Sequence, residues 1–127
     1  VDNDPRQADR DWDSLIASLP PEPKSPTIEI FLSRQVGRFN GYIFPALGGN
    51  RFQTPKGNFR VNFKSKDHYS QKYDAPMPYS LFFTAQCAIH QGSLYMYSHG
   101  CIHVNETSAR LMFNNSTAGT TRVIVYP

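Results

Sequence analysis

The sequence contains no apolar run near the ~20 residues that a membrane-crossing helix requires, and no basic-then-apolar leader opens it. No membrane span is expected within the chain. It starts at Val1 rather than Met, so the expectation is a processed or trimmed product whose leader is not in view. Charge is scarce, at 18% of residues, and the net surplus of +3 is spread without a run of Lys or Arg. A nucleic-acid footprint is therefore missing and no such partner is expected, although an anionic polymer would be attracted weakly. Two cysteines are too few for a disulfide scaffold. They are either two free thiols or one bridge between Cys87 and Cys101. There is no internal repeat and no low-complexity tract.

What is present is aromatic and turn-forming. Nine Phe, seven Tyr and one Trp stand beside 10 Pro and 8 Gly in 127 residues, a single domain's length. That balance suits a mostly β fold better than a helical bundle. Residues 1–26 read as an N-terminal arm and linker. Trp12, Leu15, Ile16 and Leu19 mark one face of a short helix, expected to dock its Trp on the domain. Pro20, Pro21, Pro23 and Pro26 follow as a stiff connector. From Thr27 the period becomes two. Ile28, Ile30 and Leu32 alternate with Glu29, Phe31 and Ser33 as in a half-buried strand, and Asn40-Gly41 marks a hairpin before Tyr42-Ile43-Phe44. Thr54-Pro55-Lys56-Gly57 reads as a tight turn leading into alternating Phe59, Val61 and Phe63. Residues 67–78 read as a polar loop with aromatics, and 79–84 and 88–90 as buried strands. Asn105 is placed to cap a helix holding Ala109, Leu111, Met112 and Phe113, ahead of a last strand at 122–126.

The chemistry concentrates in Ser98-His99-Gly100-Cys101-Ile102-His103-Val104, with His90 just upstream in Ile89-His90-Gln91-Gly92. A thiolate attacks a carbonyl, a histidine takes its proton, and glycine lets backbone amides approach the developing oxyanion. Two structural readings stand beside this one: Cys101 as a buried thiol and His90 as a satisfied core histidine. A third groups Cys87, His90, His99, Cys101 and His103 into a Cys/His zinc-binding module. Their spacing matches no common structural zinc pattern, and a domain of this size folds without metal. No metal and no cofactor is expected.

Four ordered motifs, Thr54-Pro55-x-Gly57-x-Phe59, Pro76-Met77-Pro78-Tyr79 with Phe82-Phe83, Ile89-His90 and Ser98-His99-Gly100-Cys101, resemble the catalytic domain of bacterial L,D-transpeptidases, the YkuD-like peptidoglycan enzymes. The resemblance covers residues 27–127. It implies a β-sandwich or barrel with one short helix after the catalytic cysteine, which lies at the mouth of a cleft. It also implies attack on the bond between the third residue of a peptidoglycan stem and the D-alanine that follows it. An acyl-enzyme and transfer to an amine of a second stem are implied in turn. Carbapenems are implied as covalent ligands, and an extracytoplasmic location follows. Transferred by position, Cys101 is the nucleophile and His90 the base, with the Gln91 carbonyl orienting it. His99 shapes the site, and the amides of His99, Gly100 and Cys101 form the oxyanion hole. Met77 and Tyr79 line the substrate groove, as do Ser98 and His103, with His68, Tyr69 and Ser70 on the facing loop.

Two departures from the family stand out. His103 occupies a position where most members carry arginine, which marks a short-loop subfamily. The segment 91–98 is also short, so the lid over the cysteine is expected to be small. An open acceptor side leaves two relatives of the same chemistry: an L,D-carboxypeptidase that uses water, and an antibacterial effector that trims stems or exchanges D-amino acids.

Overall fold

A computed structural model of the chain describes residues 11–49, 54–72, 74–96, 98 and 100–127. Nine strands among them join one sheet: β1 (Thr27–Phe31), β2 (Val36–Phe39), β3 (Tyr42–Leu47), β4 (Gly57–Arg60), β5 (Phe63–Ser70), β6 (Ala75–Phe82), β7 (Ala88–Gln91), β8 (Ile102–Val104) and β9 (Arg122–Tyr126). Their order is β4-β9-β1-β2-β3-β8-β7-β6-β5. The two edge strands are consecutive in sequence, separated only by Val61 and Asn62. The Val61 N–H donates to the Thr121 carbonyl at 2.8 Å, and the Asn62 N–H to the Phe82 carbonyl at 2.6 Å. A connection that short forces the sheet to curl until its ends approach, giving a mostly β half-barrel.

The core fills the curl. Ile28, Ile30, Phe44, Leu81, Phe83, Ile89, Ile102, Val104, Val123 and Val125 meet there, closed by Ala109 and Met112 of the helix after the cysteine. Two helices are described: α1 (Trp12–Ala17) and α2 (Glu106–Asn115). Asn105 caps α2, its side chain accepting the Ser108 N–H at 2.9 Å, an interaction typically worth ~0.5–2 kcal/mol. At the other end Lys64 of β5 donates to the Phe113 and Ser116 carbonyls at 2.8 and 2.9 Å. A cation there satisfies the last carbonyls and complements the helix dipole, and it ties the β5–β6 hairpin to the core.

Several sequence expectations need correction. The polar loop expected at 67–78 is mostly strand: β5 and β6 pair from Phe63↔Phe82 to Ser70↔Ala75. β5 is an edge strand with much of its length in solvent, so backbone pairing holds it without writing an apolar alternation. The alternation expected through Phe59, Val61 and Phe63 is broken instead, because Val61 sits buried in the link between β4 and β5 and Phe63 is exposed. β1 is buried on both faces rather than one, since Glu29 is fully enclosed. Its carboxylate accepts from Arg38 Nε at 2.7 Å and from the Tyr126 hydroxyl at 3.1 Å. Helix α1 buries none of its residues, so its apolar face is only partly covered. The connector after it is anchored by Glu22, which accepts the Gly41 N–H at 2.9 Å.

The Glu29–Arg38 pair gives a stability test. Glu29→Ala leaves the buried guanidinium without its partner, and removing one member of such a pair costs ~3–5 kcal/mol. Urea unfolding of the variant should show a loss of that size; a loss well under ~1 kcal/mol would mean that the pair is not supporting the sheet.

Candidate active site

The site is assembled by the parallel pairing of β7 and β8, in which Ile89 faces Ile102, His90 faces His103 and Gln91 faces Val104. Alternation along each strand sends Ile89, Ile102 and Val104 into the core. The same alternation leaves His90, His103 and Cys101 on the opposite face, where they line a cleft of about 700 Å³. The register also sets Ala88 beside Cys101, and the Ala88 N–H approaches Sγ at 3.4 Å. The Gln86 carbonyl lies 3.9 Å from the same sulfur. No hydrogen bond joins Sγ to His90 among the described residues, so the resting thiol and imidazole share the cleft without being engaged; such contacts often tighten only on substrate binding.

His90 and His103 are each locked through a backbone carbonyl. His90 Nδ1 lies 2.7 Å from the Gln91 oxygen and His103 Nδ1 lies 2.8 Å from the Ser93 oxygen. A carbonyl only accepts, so each Nδ1 carries the proton and each Nε2 keeps its lone pair. The rings meet edge to face at 4.8 Å. The close approach of His103 needs Gly92, because a Cβ there would come within 2.7 Å of the imidazole. His90 is only 5% exposed. Burial pulls its pKa from 6.5 to about 4, and the neighbouring His103 and His68 act in the same direction. Burial also lowers His103 and raises the Cys101 thiol. The resting site is thus a neutral thiol facing neutral imidazoles.

The glycine before the cysteine has φ +129, a conformation that favours glycine. Its N–H donates to Ser98 Oγ at 3.0 Å, and Ser98 Oγ in turn donates to the Cys101 carbonyl. In this resting arrangement the Gly100 amide and the Ser98 hydroxyl are engaged within the loop, and Ser98 also lines the cleft. The assignment of His99 falls outside the described residues.

Met77, Tyr69, His68 and Ser70 line the cleft together with Gln86, Cys87 and Met96. Tyr69 is 50% exposed, and its hydroxyl bonds to Asp74. Tyr79 is not among the lining residues: it packs edge to face on Phe113 of α2, with centroids 5.7 Å apart. Strand alternation would place Tyr79 and Met77 on one face. Tyr79 instead has φ +57, and this turn of the backbone, braced by Ser80 Oγ donating to the Met77 carbonyl at 2.7 Å, separates their directions. Cys87 and Cys101 are both free thiols. Among the described residues no group of three or more His, Cys, Asp or Glu is gathered closely enough to hold a metal ion.

Residues 29–125 match the family model of the L,D-transpeptidase catalytic domain, YkuD. The chain belongs to that family. Solved structures of similar shape agree. An L,D-transpeptidase from Stackebrandtia nassauensis superposes with a TM-score of 0.74 at 20% identity, covering 84% of this chain and 58% of that one. One from Xylanimonas cellulosilytica does so with a TM-score of 0.71 at 26% identity, over 91% and 68%. L,D-transpeptidase 3 from Mycobacterium tuberculosis, in complex with a faropenem-derived adduct, gives a TM-score of 0.69 at 18% identity, over 81% and 61%. The L,D-transpeptidase domain here therefore spans about three fifths of the length of the first of these. No curated protein is similar enough to count as a match.

The depressed His90 pKa has a measurable consequence. The unfolded chain binds that proton near the ordinary 6.5 and the folded one only near 4, so the unfolded state holds more protons between these values. His90 thus makes stability fall as pH drops from 6.5 to about 4, with no further loss below. Urea unfolding across that window should show the slope, and His90→Gln should flatten it. An imidazole NMR titration placing His90 near 6.5 would contradict the burial argument.

Proposed function

We propose that this L,D-transpeptidase domain is an extracytoplasmic cysteine acyltransferase acting on peptidoglycan stem peptides. The observation that carries the reading is the placement of Cys101 and His90 in one cleft, with His90 held by the Gln91 carbonyl in the tautomer whose Nε2 is free of a proton. Cys101 Sγ attacks the carbonyl of the third stem residue, whose amide bond leads to D-alanine. The thiol proton passes to His90 Nε2, the carbonyl electrons move to oxygen, and the tetrahedral species collapses as His90 returns the proton to the departing D-alanine nitrogen. A neutral pair suits this order of events, because the proton moves as the sulfur bonds and no thiolate has to be stored. The acyl-enzyme is then resolved by an amine of a second stem, giving a 3-3 cross-link.

Met77, Tyr69 and His103 line the groove that would take the donor stem. The complex of the M. tuberculosis relative with a faropenem-derived adduct supports a β-lactam as a covalent ligand here as well. One observation favours a second acceptor: Met96 borders the cleft yet is 71% exposed. A lid that leaves its apolar residue in solvent admits water, which would turn the same acyl-enzyme into an L,D-carboxypeptidase. The open side equally suits D-amino-acid exchange by an antibacterial effector.

Incubation with tetrapeptide muropeptides followed by mass spectrometry decides among these acceptors. Cross-linked dimers indicate transpeptidation, tripeptides indicate hydrolysis, and exchanged tetrapeptides indicate D-amino-acid transfer. Cys101→Ala should abolish every product with the circular dichroism spectrum unchanged, and turnover retained in that variant would end the assignment. His90→Ala should slow the reaction ~10²–10⁴-fold, the usual contribution of a positioned acid–base group. A carbapenem should add its mass to Cys101 in the native chain and not in Cys101→Ala.

A further inference from the structure

Thr54 lies far from Cys101 in sequence and outside the cleft lining, yet it is only 3% exposed and bonded to the cysteine loop. Its hydroxyl donates to the Gly100 carbonyl at 3.0 Å and accepts the Gly49 N–H at 2.7 Å. Gly49 also bridges to Ser98 in parallel. The end of β3, the Thr-Pro turn and the loop before the nucleophile are thereby fastened at one buried oxygen. The Gly100 carbonyl and the Cys101 N–H belong to the same peptide unit. That unit is trans, so the two groups point in opposite directions across a rigid plane. Whatever fixes the carbonyl aims the amide.

We propose that Thr54 is a positioning residue of the oxyanion hole: by holding the Gly100 carbonyl, its hydroxyl directs the Cys101 N–H toward the oxygen of the acyl group that Cys101 attacks. The proposal rests on Cys101 being an acyl-accepting nucleophile and adds a role to the Thr54-Pro55-x-Gly57 turn, which the cleft residues alone leave without one. The remaining polar groups of the loop fit this division. Ser98 occupies the Gly100 N–H and the Cys101 carbonyl, leaving the Cys101 N–H as the donor on the side opposite the Thr54 bond. A Thr54→Val substitution keeps the shape and deletes the bond; the peptide plane is then free to rotate about a residue whose φ of +129 shows how little it is restrained by a side chain.

The test separates chemistry that builds an oxyanion from chemistry that does not. Acylation of Cys101 by p-nitrophenyl acetate passes through an oxyanion, whereas alkylation by iodoacetamide displaces halide and forms none. In Thr54→Val the acylation rate should fall roughly ten- to hundred-fold, somewhat less than the ~10²–10³-fold that follows outright loss of a donor. Alkylation should stay within about twofold of the native rate, and Thr54→Ser should recover most of the acylation. Equal losses in both reactions, or acylation unchanged in Thr54→Val, would overturn the proposal. If Thr54→Val does not fold, the native acyl adduct provides the second measurement: its crystal structure should place the acyl oxygen within hydrogen-bonding reach of the Cys101 nitrogen, and an oxygen turned away from it would refute the role. Because the ester carries no stem peptide, native acylation without any turnover of muropeptides would remove the peptidoglycan reading while leaving this one standing.

Discussion

Everything at this site depends on one ladder, the parallel pairing of β7 with β8. Its register sets Ile89 against Ile102, and this single match sends both side chains into the core and both histidines to the cleft. A slip of one residue would exchange the faces, burying His103 and Cys101 among the apolar residues and exposing Ile102. The register is secured by burial, since Ile89, Ile102 and Val104 are all fully enclosed. Catalytic geometry and hydrophobic packing are therefore the same constraint viewed from two sides of one sheet. Helix α2 completes it by packing against β6 and β7 from the core side.

The cleft uses its low polarity in a consistent way. Burial disfavours charge on both partners, lowering His90 and raising Cys101, so neither ionises ahead of the other. Backbone carbonyls do the orienting that a carboxylate performs in many cysteine and serine enzymes, and they do so without adding a charge to the site. Hydroxyls carry the rest: Ser98 and Thr54 hold three polar groups of the loop around the nucleophile. The result is a rigid framework of neutral hydrogen bonds around two groups that become polar only during reaction.

Much of this was legible in the sequence, and the exceptions share a cause. The Asn40-Gly41 hairpin, the Asn105 cap and the strands expected at 79–84 and 88–90, which the structure forms at 79–82 and 88–90, are written in local signals. The proximity of Cys101 to His90 follows from family motifs. The β5–β6 hairpin was missed because β5, largely in solvent, needs no apolar period, only a backbone partner. Glu29 was misread because a buried carboxylate is indistinguishable from a solvent-facing one until Arg38 and Tyr126 are brought to it. Tyr79 lies apart from Met77 because a single left-handed residue interrupts the alternation that pattern reading assumes. Thr54 stood within a quoted motif, but its bond to Gly100 is a tertiary contact that no local spacing announces.

The first and last strands in chain order, β1 and β9, run parallel, from Thr27 beside Arg122 to Phe31 beside Tyr126. A pull that separates the two ends of the fold would enter β1 at Thr27 and leave β9 at Tyr126, at opposite ends of the same ladder. The load would act in shear along the strands, on all the paired residues together, and could not peel them apart one bond at a time. The arrangement is mechanically stiff by topology alone.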